Sequence, residues 1–175
     1  MTGAGRASIH ASAVLVGSRA VLIRGPSGSG KSRLAFDLIL AGRARQIQPA
    51  RLVADDRVHL QPDGGELIVR PAPALAGLIE IRGLGIQNCD FVNEAIVGLV
   101  VDLDAEDAER LPPAEALKTH LHGIELPRIP VGRGFAGLPL VIARLTMTTN
   151  SSSARSSTDC SKGIGNHIRP KIASD

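Results

Sequence analysis

The sequence has no Trp, no Tyr and only three Phe. A core built from it must be aliphatic, and the aromatic platforms on which single-stranded nucleic acids stack are lacking. Its two cysteines, Cys89 and Cys160, are far apart and without C-x-x-C or Cys/His spacing, which argues against both a disulfide framework and a zinc site. No apolar run approaches the roughly 18 residues of a membrane span, and the polar start lacks the charged-then-apolar layout of a signal peptide. The expected setting is a reducing cytoplasm. Charge of one sign is also scarce. Of the net charge of +3, two belong to residues 146–175, where Arg155, Lys162, Arg169 and Lys171 face Asp159 and Asp175. So little charge, so biased to one end, is no nucleic-acid footprint.

What is present is a chain of 175 residues, 43% apolar, about one domain long. Gly25-Pro26-Ser27-Gly28-Ser29-Gly30-Lys31-Ser32 fits G-x-x-x-x-G-K-[ST] without a mismatch. The apolar run Val21-Leu22-Ile23 stands before it as a strand. Leu34, Ala35, Leu38 and Ile39 recur at helical spacing behind it, with Gly42 placed to close the helix in a left-handed cap. A glycine-rich turn with a solvated lysine would share the letters, but the strand and helix on either side favour a phosphate loop. Its backbone N–H groups would turn toward phosphate oxygens, Lys31 would reach β- and γ-phosphates, and Ser32 would bind Mg²⁺.

Ser12–Val16 and residues 19–23 read as a hairpin across Gly17-Ser18, feeding the loop. Leu52-Val53-Ala54 is a buried strand ending at Asp55-Asp56, and Val58–Leu60 with Glu66–Val69 form a second hairpin. Residues 74–84 form a short helix or a loop hinged at Gly83 and Gly85. Residues 95–103 read as a central strand, 104–111 as an acidic, helix-prone stretch closed by Pro112-Pro113, and 120–131 as strand-like alternation. From Thr146 the chain turns Ser/Thr-rich and loses periodicity, so residues 1–145 are expected to form the domain and 146–175 a disordered or weakly docked tail. Hairpins and crossovers around one phosphate loop predict an α/β domain with a mixed, strongly β sheet and flanking helices.

A phosphate loop needs a second acidic group for its metal. Asp102, after Leu99-Val100-Val101, has the usual hhhhD spacing, and Asp55-Asp56 is the other candidate. Adjacent carboxylates repel unless a cation offsets them; sharing a site, one can bind metal while the other accepts a proton from a hydroxyl. Alone, His10 would read as a surface histidine. Glu80, within Leu78-Ile79-Glu80-Ile81-Arg82-Gly83-Leu84-Gly85, would read as half of a structural ion pair.

Taken together, LIEIRGLGI, VADDRV, the GPSGSGKS loop and the upstream His10 resemble, over about His10 to Arg133, the catalytic domain of HPr kinase/phosphorylase, which acts on a serine of the bacterial phosphocarrier HPr. The resemblance implies that domain's P-loop fold, and that Lys31 and Ser32 serve ATP and Mg²⁺ with Glu80 as a second metal ligand. It implies that the Asp55-Asp56 pair supplies the base for kinase action and the acid for the phosphorolytic reverse reaction with inorganic phosphate, assisted by His10. Arg110, in AERL, matches the family's catalytic arginine, and residues 80–89 its stretch important for both activities. A hexamer is implied as well. The sequence reads as a short form holding the catalytic domain alone, with a longer connection at 43–51 and the P-V-x-x-G-R loop shortened at residues 129–133. A phosphate-loop kinase of another substrate, or a nucleotide-binding regulator without catalysis, are the alternatives.

Overall fold

The structure is a computed structural model that describes residues 8–147. The chain runs through β1 (Ile9–His10), β2 (Ser12–Val16), β3 (Arg19–Arg24), α1 (Lys31–Arg43), β4 (Ala50–Ala54), β5 (Arg57–Asp63) and β6 (Glu66–Pro71). It continues through β7 (Leu78–Ile81), β8 (Gly85–Asn88), β9 (Ala95–Leu103), β10 (Lys118–Leu121), β11 (Ile124–Val131) and α2 (Gly137–Thr146), with 3₁₀ turns at Pro73–Leu75 and Ala114–Leu117.

A nine-stranded mixed sheet has the order β1-β5-β6-β9-β3-β2-β4, with β11 also paired to β9 and β10 to β11. The strand β9 is its trunk. It runs parallel to β3 on one side, and on the other it meets β6 at Ile96 and β11 from Val100 to Leu103. Leu99, Val100 and Val101 are all buried, because a central parallel strand is covered on both faces and reads as a continuous apolar run.

Alternation along β3 sends Val21 and Ile23 to one core and Ala20 and Leu22 to another. The first core lies under α1 and α2 through Leu34, Leu38 and Val141. Among the described residues no helix covers the second. There Val53 meets Val58, Leu60, Leu67 and Val69, since β4 and β6 pack together although three strands separate them in the sheet order. The sheet therefore coils, and β4 at one end of the order is joined to β5, near the other, by Asp55 and Asp56 alone. Asp56 takes φ 66, the left-handed conformation that an aspartate tolerates better than most residues, at this corner.

Several local expectations are corrected. Gly42 does not cap α1 but lies inside it; Arg45 takes the left-handed conformation beyond the end. What Gly42 provides is proximity: a Cβ there would sit 2.7 Å from the Ala50 amide nitrogen. Residues 74–84 are neither helix nor plain loop. After the 3₁₀ turn they open the β7–β8 hairpin. Residues 104–111 form turns in place of a helix because Asp107 is drawn to Arg128, and the alternation at 120–131 splits into the β10–β11 hairpin. The tail expected from residue 146 lies, from 148 onward, outside the described residues. Among the described residues no helix is long and apolar enough to cross a membrane.

Replacing a helical glycine by alanine ordinarily stabilises by up to about 1 kcal/mol. At Gly42 the methyl overlaps β4 backbone, so Gly42→Ala is expected to lose about 1 kcal/mol net. A lower urea midpoint with an unchanged slope is the expected result, and a raised midpoint would contradict this packing.

Candidate active site

The C-terminal ends of the parallel strands β3, β9 and β11 lie side by side, and the loop Gly25–Gly30 leaves the sheet there. Gly25, Gly28 and Gly30 all hold positive φ, which turns the loop back on itself. Gly25 also has no room for a side chain, since a Cβ would lie 2.9 Å from the Leu103 carbonyl oxygen. Gly30 caps α1 with no side chain bonded to the helix N–H groups and no acidic residue in the first turn. That helix end presents its unpaired donors and positive dipole to an anion.

Lys31 crosses beneath the loop. Its Nζ donates to the carbonyls of Gly25 (3.0 Å) and Pro26 (2.9 Å), leaving one of three N–H bonds for a ligand. The side chain is buried, and burial lowers its pKa below the usual lysine value, opposed by the negative charges of Asp55 and Asp56. Both carboxylates are thus within electrostatic reach of the ammonium.

The two aspartates occupy different environments. Asp55 is 3% exposed; its Oδ1 accepts from the Ser12 hydroxyl at 2.5 Å and its Oδ2 from the Glu80 amide at 3.1 Å. Asp56 is open to solvent, with its Oδ1 3.1 Å from His10 Nε2. Pairing of Ile9 with Val58 and His10 with Arg57 brings this histidine to the corner.

A cavity of about 650 Å³ joins these parts. Ser27, Gly28, Gly30, Lys31 and Ser32 line one side, and His10, Asp56 and Glu80 another. Gly25, Pro26 and Ser29 belong to the loop without lining the cavity, and Asp55 sits behind the wall, tied to Glu80. Arg110 is exposed, on the connection after β9, and does not line the cavity. Ser32 and Glu80 could hold a divalent cation only with other donors, because no cluster of three or more His, Cys, Asp or Glu side chains suited to a metal occurs among the described residues. A hydroxyl and one carboxylate completed by phosphate oxygens is the donor set Mg²⁺ favours, so the residues fit it.

Asp102 has a different role from the one its spacing suggests. Arg24 Nε and Nη2 donate to its two oxygens at 2.7 and 2.8 Å, and Arg128 Nε donates at 2.5 Å. Arg128 continues to Asp107 and to the Ala116 carbonyl. With two guanidinium groups on it, Asp102 is structural: it ties the root of the phosphate loop to β11 and to the connection that carries Arg110. Burial pushes its pKa up, but the hydrogen bonds and charges of Arg24 and Arg128 outweigh this and hold it below the usual carboxylate value. Ser12, Arg24, Arg128 and Phe36 were not singled out in the sequence, and Arg82, read there as the base beside Glu80, forms no ion pair with it among the described residues. Only Phe36 left a local signal, standing four residues after Ser32 on one face of α1.

A family model described as HPr Serine kinase C-terminal domain matches residues 2–134. The chain belongs to this family. It is 38% identical over 151 residues to an HPr kinase/phosphorylase of Geobacillus thermodenitrificans, covering 78% of this chain and 47% of the relative. To one of Enterococcus faecalis it is 38% identical over 143 residues, covering 74% and 43%. The chain thus spans under half the length of these relatives. A solved structure, the Hpr(Ser) kinase/phosphatase from Coxiella burnetii, superposes with a TM-score of 0.63 at 29% identity, over 79% of this chain and 93% of that one. The α/β architecture, a large mixed sheet with two helices, is that of the family's catalytic domain.

The Asp102 network carries a pH prediction. A carboxylate whose folded pKa is depressed stabilises above its unfolded pKa, and this stability disappears as pH falls through the folded value. Asp102→Asn is therefore expected to lose about 3 kcal/mol at pH 7, leaving two cations incompletely paired. The gap to the unaltered protein should narrow below about pH 4 in urea titrations. An undiminished gap at pH 2 would show that the loss is not electrostatic.

Proposed function

We propose that this chain transfers the γ-phosphoryl group of ATP to a serine of an HPr-like phosphocarrier protein, and that inorganic phosphate reverses the transfer in the same site. The observation that carries this reading is that a phosphate loop with an uncapped helix end and the Asp56–His10 pair line one cavity. Membership of the HPr kinase family and similarity to curated HPr kinase/phosphorylases support the choice of substrate.

In this scheme the loop N–H groups and Lys31 hold the phosphates, and Ser32 and Glu80 would hold Mg²⁺. When bound, Mg²⁺ supplies positive charge against the phosphate oxygens. The serine oxygen bonds to the γ-phosphorus while the bond from that phosphorus to the β,γ-bridging oxygen breaks, releasing ADP. The Asp55-Asp56 corner takes the serine proton, with Asp56 opening on the cavity and His10 steering its carboxylate, and Asp55 fixed close to Lys31. In the phosphorolytic direction an oxygen of inorganic phosphate bonds to the phosphoserine phosphorus while the bond from that phosphorus to the serine oxygen breaks, pyrophosphate leaves, and the corner returns the proton to the serine oxygen. Arg110 stands outside the cavity wall, so charge balance on the protein side is given to Lys31. Family likeness further supports a homo-oligomer, a hexamer, working in the cytoplasm.

Incubation of the protein with Mg²⁺, γ-labelled ATP and HPr, followed by mass spectrometry, is expected to place one phosphate on one HPr serine. ATP binding without label on HPr would contradict the reading, in favour of another substrate or a regulator without catalysis.

A further inference from the structure

Each wall of the cavity continues beyond the residues given to phosphate and proton. On α1, Ser32 and Phe36, like Arg33 and Asp37, are four residues apart and share one face, which places Phe36 about 6 Å further along the helix than Ser32. On the facing wall, Glu80 is tied to Asp55, and Ile81 and Arg82 follow as β7 leaves the corner. Beyond the near end with His10 and Asp56, the lining thus continues along α1 to Phe36 and along β7 to Ile81 and Arg82, which together make up its far part.

The far end is chemically unlike the near one. Phe36 is the one benzenoid ring in the wall, in a chain with three phenylalanines and no Trp or Tyr. It is half-buried, its inner side packed on the core under α1 and its remaining surface open to the cavity. Arg82 is in no ion pair among the described residues, so its guanidinium is available to a ligand. A flat π surface that lines one cavity with an apolar side chain and an unpaired guanidinium accommodates a nucleobase by stacking.

The geometry points to this far end as the nucleoside subsite: with the phosphates on the Gly28–Ser32 loop and the reacting phosphoryl group toward Asp56, the base of ATP lies against Phe36 with Ile81 and Arg82 opposite. The inference rests on the phosphate-loop reading above and assigns the part of the donor that the reading left unplaced. A cavity of about 650 Å³ has room for a nucleoside beyond its phosphates.

The test compares Mg·ATP with Mg·tripolyphosphate, which carries the phosphates and no nucleoside, by titration calorimetry on the full chain. Phe36→Leu keeps most of the packing against the core and removes the π face, and Phe36→Ala is its harsher counterpart, each checked for an intact fold by circular dichroism. The unaltered protein is expected to bind ATP more tightly than tripolyphosphate. Phe36→Leu is expected to weaken ATP about tenfold while leaving tripolyphosphate unchanged. If the unaltered protein binds both equally, or the variants weaken both to the same extent, the subsite is wrong while the phosphate loop stands. If neither ligand binds the unaltered protein, the phosphate-loop reading fails and the subsite with it.

Discussion

Asp55 is a carboxylate almost excluded from water, and both of its oxygens are taken, one by the Ser12 hydroxyl and one by the Glu80 amide. Those two bonds join β2, the β4–β5 corner and the β7 hairpin at one point. A buried carboxylate left unsatisfied would be costly, so the three elements are held where its oxygens are bonded. The geometry of the site follows from this constraint. Asp56, next in the chain and in a left-handed conformation, swings to the opposite side and meets His10 over the cavity, while Glu80 is brought to the wall facing Ser32. The coiling of the sheet is what makes such a corner available, because only a sheet turned back on itself lets two residues connect β4 to β5.

A second constraint acts from the other side of the phosphate loop. β9 lies between β3 and β11, and Asp102 near its end binds an arginine from each neighbour. The loop root is thereby fixed through Arg24, beside a glycine at position 25 that leaves no room for a side chain against the Leu103 carbonyl. Between this anchor and the Asp55 corner, the loop and the facing carboxylates are both attached to rigid elements rather than to each other. That arrangement suits phosphoryl transfer, which asks a protein for position and charge more than for covalent chemistry.

How much of this the sequence revealed depended on the range of each interaction. The loop Gly25–Ser32 is local, and its flanking strand and helix were readable from neighbouring residues. Asp55 and Asp56 stood out because they are adjacent, but that one would be buried and the other open depends on the coiling of the sheet and on Ser12, 43 residues away. For Asp102 the local pattern pointed to a metal, and the partner that decides otherwise, Arg128, lies 26 residues further on. The β7–β8 hairpin escaped notice because β8 is exposed throughout and has no apolar alternation to betray it. The acidic stretch after β9 has helical propensity that Arg128 overrides by holding Asp107. The loop itself was legible, whereas the network that positions it is tertiary.

The central claim is that the Asp55-Asp56 corner manages the proton while the loop independently holds the nucleotide. Single-turnover transfer to HPr at saturating Mg·ATP, measured for Asp55→Asn and Asp56→Asn alongside ATP affinity, tests this most directly. The account predicts that both variants lose roughly 10²-fold or more in transfer rate and bind ATP as before. Full transfer by both variants, or an equal loss of ATP binding, would contradict it.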